Sequence, residues 1–259
     1  MVILMNFFFG IKNKNLLCKI TIPKFQNCGN FTNDFNVYQA VAENNTWNIK
    51  GVECEQNKNF FFIENSYIEN NKIFFLAKKE EVNLIKIENK LIELNNFTNT
   101  KPAAFRSNLR LSIPNKGFSS YQSEYPFAMS IRKGNILSPV SMLLNHNSDL
   151  NFIFFKNIYF QPKQDQANLY FINIKKKEIV DHVKIRCNFL NEIEVDKKNI
   201  SKDIYMFTDG CLGIPLFVSI KDDHISFEHT HPPHHYILSD DRYKTIASVK
   251  NEFKKIINK

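Results

Sequence analysis

The sequence predicts a mainly β protein, built of antiparallel sandwich or barrel-like sheets with a C-terminal α-helix. Three observations lead there. Short apolar runs rich in Ile, Phe, Val and Tyr recur about every 8–12 residues, the spacing of an all-β sandwich or barrel. Many of the links between them are short and carry Asn, which tolerates the positive φ of tight turns. Only one stretch, Ser239–Asn258, reads clearly as helix.

The elements follow in chain order. Val2–Phe9 and Leu16–Ile22 are apolar enough for buried strands. Trp47–Cys54, Phe60–Glu64 and Lys72–Ala77 come next, the last two separated by a link through Asn70-Asn71. Val82–Ile87 and Lys90–Leu94 flank Glu88-Asn89 and are read as a hairpin. Leu109–Ile113, Ala128–Arg132, Ile136–Leu143, Phe152–Phe160, Leu169–Ile174 and Ile179–Cys187 continue the pattern. Ile204–Thr208, Ile214–Ile220 and His224–His229 complete it. In the helix, Ser239 suits the N-cap and Asp240 and Asp241 the positive end of the dipole. Lys254, Lys255 and Lys259 suit the negative end, and Tyr243, Ile246, Ala247, Phe253 and Ile257 form one face.

The chain has 259 residues, enough to bury a large core without disulfides. It carries 34 Asn, 30 Ile, 29 Lys and 25 Phe against 7 Gly, 8 Ala and 5 Arg, the imprint of an AT-rich genome. The net charge of +8 therefore reads as dispersed lysine rather than as a nucleic-acid footprint. No Walker-type loop, zinc-finger spacing or RNP-like motif is present, which argues against nucleic acid. The five cysteines (18, 28, 54, 187 and 211) lie too far apart for a C-x-x-C motif, and their odd number suits a reducing, cytoplasmic setting. The apolar start MVILMNFFFGI is too short for a membrane helix and lacks signal-peptide features, so it is expected to be a strand and no transmembrane segment is expected.

Composition shifts near Thr100-Lys101-Pro102. Residues 1–100 are read as a β-meander scaffold and 101–259 as a β-rich functional region with the C-terminal helix, with one continuous domain as the alternative. Residues 1–100 have a net charge of +1 and residues 101–135 of +5.

The informative residues are those kept against the codon bias. Three of the five Arg stand at 106, 110 and 132, and the arginine fork recognises carboxylate or phosphate as lysine cannot. Arg106 and Arg110 would share a strand face. Between them and Arg132 runs a polar segment with Ser120, Tyr121, Gln122 and Glu124, read as a loop that recognises a small anionic or sugar-like ligand. Five of seven His cluster in HISFEHTHPPHHY, and His229 and His231 form an H-x-H pair able to hold a divalent transition metal. H-x-H resembles the metal strands of cupins in that feature alone, and Pro232-Pro233 replaces the cupin continuation.

Gly210 and Gly213 flank Cys211, so this backbone is expected to need positive φ or a close approach. A three-residue hairpin loop at Lys221–Asp223 would place Gly213 opposite His231. Cys211, His229 and His231 would then share a face, with Asp209 able to orient an imidazole. The expected protein is an enzyme acting on a small anionic or sugar-derived substrate. Its Cys211 would be a nucleophile with a His base, or its histidines would hold a metal that activates water. The rival is a non-enzymatic carbohydrate-binding or assembly β-sandwich.

Overall fold

The computed structural model describes residues 5–26, 30–31, 35–94, 107–229 and 240–259. The fold class is as the sequence predicts: four antiparallel sheets and a short two-stranded ribbon, with a helix at the C-terminus. The first sheet orders its strands Glu124–Pro126, Met5–Phe8, Ile73–Ala77, Asn36–Glu43 and Thr46–Gly51. The second runs Phe118–Gln122, Asn108–Ser112, Leu17–Pro23, Phe60–Ile63 and Glu55–Gln56. Both combine strands from either side of residue 100.

The third sheet orders Leu137–Pro139, Ile204–Thr208, Gln166–Asn173 and Glu178–Arg186. The fourth orders Phe189–Glu194, Leu150–Asn157, Ile214–Lys221 and His224–His229. This fourth sheet separates two interiors. Phe152, Phe154, Leu190, Leu216 and Val218 join the first two sheets in one core. Ile153, Phe155, Ile193 and Phe217, on the opposite face, pack with Leu169, Phe171 and Met206 of the third sheet. The alternation of two in a strand buried on both faces makes this possible. Each buried aromatic adds about 2–3 kcal/mol of transfer free energy. Polar tips inside find partners: Trp47 Nε1 donates to the Phe160 carbonyl at 3.0 Å and the Tyr125 hydroxyl donates to that of Ile158 at 3.3 Å.

Asparagine turns behave as the composition suggests. Asn44 and Asn45 have φ of 49° and 58° and close the Glu43–Thr46 hairpin as a two-residue turn. Asn36–Glu43, however, was not expected to be a strand, nor was Phe189–Glu194. Both mix polar residues with apolar ones and blur the apolar signal.

Three expected strands are corrected. Val82–Ile87 belongs to helix α1 (Lys79–Glu88). The Glu81 carboxylate accepts from the Lys78 amide at 2.9 Å, and Val82 and Ile85 are buried three residues apart while Ile87 is 82% exposed. Asn89, read as a hairpin turn, has its positive φ (49°) as the left-handed C-cap of that helix. Its amide accepts from the Trp47 backbone N–H at 3.0 Å and donates to the Asn45 carbonyl at 2.9 Å, tying the helix end to the hairpin. Lys90–Leu94 forms no strand; Leu91 and Leu94 are buried from an irregular segment. Ala128–Arg132 gives way to a single helical turn, α2 (Phe127–Ser130), entered through Pro126.

The C-terminal helix α3 runs Arg242–Ile257, with Asp241 at the N-cap. Ser239 lies outside the described residues. Among the described residues, the second half of α3 is the part that packs: Phe253 and Ile256 cover Ile172 and Phe207 on the outer face of the third sheet. Tyr243, placed on the apolar face by the sequence, is 62% exposed. No helix among the described residues is long and apolar enough to cross a membrane.

Candidate functional site

The hairpin that was to build the site has a different register. Lys221 pairs with His224 across a two-residue turn, Asp222-Asp223, in which Asp222 takes φ 51°. Leu216, not Pro215, therefore lies opposite His229. A slip of one residue moves side chains to the other face. His229 accordingly sits on the first-core side, where its Nε2 meets the Tyr121 hydroxyl at 2.5 Å and the two rings lie 4.1 Å apart. Cys211 belongs to the second core. The fourth sheet stands between them, so the Cys211–His229 pair does not form. His231 lies outside the described residues, as does Arg106. Among the described residues no group of three His, Cys, Asp or Glu is placed to hold a metal.

The polar segment before Arg132 is also not a loop. Ser120, Tyr121 and Gln122 lie in the edge strand Phe118–Gln122, so Tyr121 faces opposite to its two neighbours. Glu124 starts the next strand and is buried. Arg110 is exposed on the second sheet and stacks on the Phe118 ring at 3.9 Å. Arg132 is elsewhere, and the two arginines line different concavities.

Arg132, Asp209 and Cys211 do come together. They line a cleft of about 350 Å³ at one end of the third and fourth sheets. The strands Leu150–Asn157, Glu178–Arg186 and Ile204–Thr208 all finish there, delivering Asn157, Cys187 and the Asp209–Leu212 turn. Helix α2 is followed by Arg132 and Lys133, and Lys163 and Asp165 come from the connection before Gln166. Such a volume suits a small molecule. Arg132, Lys133 and Lys163 outnumber Asp165 and Asp209 on its wall. Asp209 is further balanced by Lys254 of α3, 3.9 Å away, and accepts from the Asn135 amide at 3.0 Å.

The glycines explain the turn. Gly210 has φ 70°, and a Cβ at Gly213 would collide with the Lys156 carbonyl oxygen and the Phe155 ring. Gly213 thus lets the chain leave the cleft pressed against the neighbouring strand. Gly213→Ala should cost about 1–3 kcal/mol through overpacking, read by urea denaturation. A stability equal to that of the parent would show that the strand yields freely.

The floor is a pair of thiols. Cys187 is half-buried and Cys211 is 4% exposed; both line the cleft, and the Cys211 Sγ donates to the Leu212 carbonyl at 3.7 Å. The neighbouring Cys211 thiol pushes the Cys187 thiol below its ordinary pKa, with nearby Lys163 adding to the effect against burial and Asp165. The Cys187 thiol, with burial, pushes the Cys211 thiol up. Asn157, 5% exposed, locks the pair. Its Nδ2 donates to the Cys211 sulfur at 3.1 Å and to the Leu212 carbonyl, and its Oδ1 accepts from the amide of Asn188, next to Cys187, at 3.2 Å. The Cys211 carbonyl accepts from Thr208 Oγ1 at 2.7 Å, and the Cys187 amide donates to the Asp165 carbonyl at 2.9 Å.

Cys187, Asn157 and Lys163 were not anticipated from the sequence. Cys187 closes an expected strand, and the other two belong to abundant residue types. Compared with protein families, with curated proteins and with solved structures, the chain matches none.

Proposed function

We propose that this protein is a thiol-dependent enzyme acting on a small anionic substrate, with Cys187 as its nucleophile. The observation that carries the reading is a pair of thiols at the floor of a cleft walled by Arg132, Lys133 and Lys163. Cys211 is the supporting thiol rather than the attacking one, because its sulfur is buried and holds its proton. Activation comes from a lowered thiol pKa, one of the established routes to a competent sulfur nucleophile.

Transfer of an acyl or amidino group fits this arrangement. The Cys187 sulfur bonds to the electrophilic carbon, and the leaving group departs with the bonding pair and takes up a proton. Water or an acceptor then attacks the same carbon and releases the thiolate. Arg132 and Lys163 hold the anionic end of the substrate, with the arginine fork favouring a carboxylate or phosphate.

Competitive alkylation tests the reading. Iodoacetate and iodoacetamide share one chemistry and differ in charge. At low ionic strength Cys187 should favour iodoacetate, relative to a free thiol, by roughly tenfold through the field of the cleft. Arg132→Ala with Lys163→Ala should abolish the preference, with the labelled residue assigned by peptide mass spectrometry. Labelling that favours neither reagent, or that falls on Cys54 instead, would sink the proposal. Retention of anion binding by Cys187→Ala with no turnover of any acyl or amidino donor by the parent would favour a binding protein.

A further inference from the structure

We infer that Cys187 and Cys211 are also a redox pair, which closes to a disulfide by exchange with a small anionic disulfide held against Arg132 and Lys163. The inference rests on Cys187 being the reactive thiol of the cleft, and it adds an activity that group transfer does not use. Two thiols that come from separate chain segments line the floor of one cleft, and Asn157, which donates to the Cys211 sulfur, accepts from the backbone amide next to Cys187. Neither is in a disulfide. Both line the cleft, Cys187 the more exposed and Cys211 the more buried, the arrangement of an attacking and a resolving cysteine. The other described thiols are poorly placed to compete. Cys18 is buried in the first core, where burial pushes its thiol up to about 12, and burial also raises that of Cys54.

The chemistry balances. The Cys187 thiolate attacks one sulfur of the disulfide RSSR, forming a Cys187–SR mixed disulfide and releasing RS⁻. The Cys211 thiol gives up its proton to that thiolate and attacks the Cys187 sulfur. The second RS⁻ leaves and takes up a proton from solvent, replacing the one shed when Cys187 ionised. The protein dithiol is oxidised by two electrons, and RSSR is reduced to two thiols. Closure ties up the Cys187 sulfur, so the oxidised protein should not alkylate or transfer groups until a thiol reopens the bond.

The test uses the full chain, reduced and freed of reductant, with oxidised glutathione as an anionic disulfide and cystamine as a cationic one. The expected product with oxidised glutathione is protein lighter by two hydrogens, with peptide mapping that joins Cys187 to Cys211. At low ionic strength closure should be roughly tenfold faster with oxidised glutathione than with cystamine, after each is corrected for its rate with a free thiol. The difference should shrink as salt is added. Cys211→Ser should stop at the first step and hold one glutathione on Cys187, whereas Cys187→Ser should hold none on Cys211. Mapping of the parent needs no variant, so a misfolded Cys211→Ser would not leave the question open.

A disulfide mapped to other cysteines, or no closure at all, would overturn the redox pair. If the iodoacetate preference at Cys187 survives in that case, the nucleophile reading stands without it. If both fail, the cleft is not a thiol site.

Discussion

Between pH 7 and pH 10.5 the parent should gain about 3 kcal/mol of stability relative to Lys156→Met, measured as the difference of their urea-unfolding free energies. The reason is a lysine with no exposed surface in the first core. Its Nζ donates to the Ser123 carbonyl at 3.3 Å and lies 5.8 Å from the Phe9 ring centroid. Burial pushes its pKa down from 10.5 to about 8, and the charge of Glu124 only partly opposes the shift. Between those two pH values the unfolded chain holds a proton that the folded chain has released. The unfolded state then binds more protons, so stability rises with pH. The penalty is fully present below about pH 8 and is gone above 10.5.

Cys18 and Tyr125 act in the opposite direction. Burial raises the pKa of both, so the unfolded chain loses these protons first and stability falls as the solution becomes more alkaline. Comparison with Lys156→Met cancels that common fall. A pH-independent difference between the two proteins would show that Lys156 does not titrate inside the fold.

Asn157→Ala should cost about 2–5 kcal/mol and should also change the cleft chemistry. The side chain serves the Leu212 carbonyl, the Asn188 amide and the Cys211 sulfur, and Asn157, Asn188 and Cys211 are all buried. Deleting it leaves two buried backbone groups without this partner, each worth about 1–3 kcal/mol. Loss of the brace frees the thiols to separate, and Cys187 loses the neighbouring Cys211 thiol that holds its pKa down. Its alkylation rate should therefore reach its half-maximum at higher pH than in the parent. An unchanged pH profile, with or without lost stability, would show that Asn157 supports the fold but does not position the thiols.

The architecture was legible because strands buried on both faces read as apolar runs, as in Phe152–Phe155. Gly210 and Gly213 were legible too, since glycine is scarce in this composition and both serve the backbone geometry expected of them. The helix α1 was not, because Asn89 has the same positive φ whether it closes a hairpin or caps a helix. The site was legible in part. Arginine stands out against the lysine-rich composition, and Arg132, Asp209 and Cys211 share one cleft.

The assumed hairpin partner failed on a single residue: a two-residue turn at Asp222-Asp223 in place of a three-residue loop turns His229 to the other side of the sheet. Asn157 and Lys163 could not be singled out, because the chain holds 34 Asn and 29 Lys, and a functional copy looks like any other. Cys187 meets Cys211 through sheet packing, which no local pattern encodes.

The fourth sheet has a consequence for how this sequence can drift. Along Leu150–Asn157, successive residues belong to different interiors, and Lys156 and Asn157 bring the buried ammonium and the cleft floor onto adjacent positions. A substitution there has no solvent-facing side on which to be neutral, and a change that suits one interior moves the backbone that shapes the other. Exposed stretches such as the outer strand Glu178–Arg186 can take many polar residues, whereas this strand is held from two sides. The positions with the fewest tolerable alternatives should therefore lie in the middle of the chain.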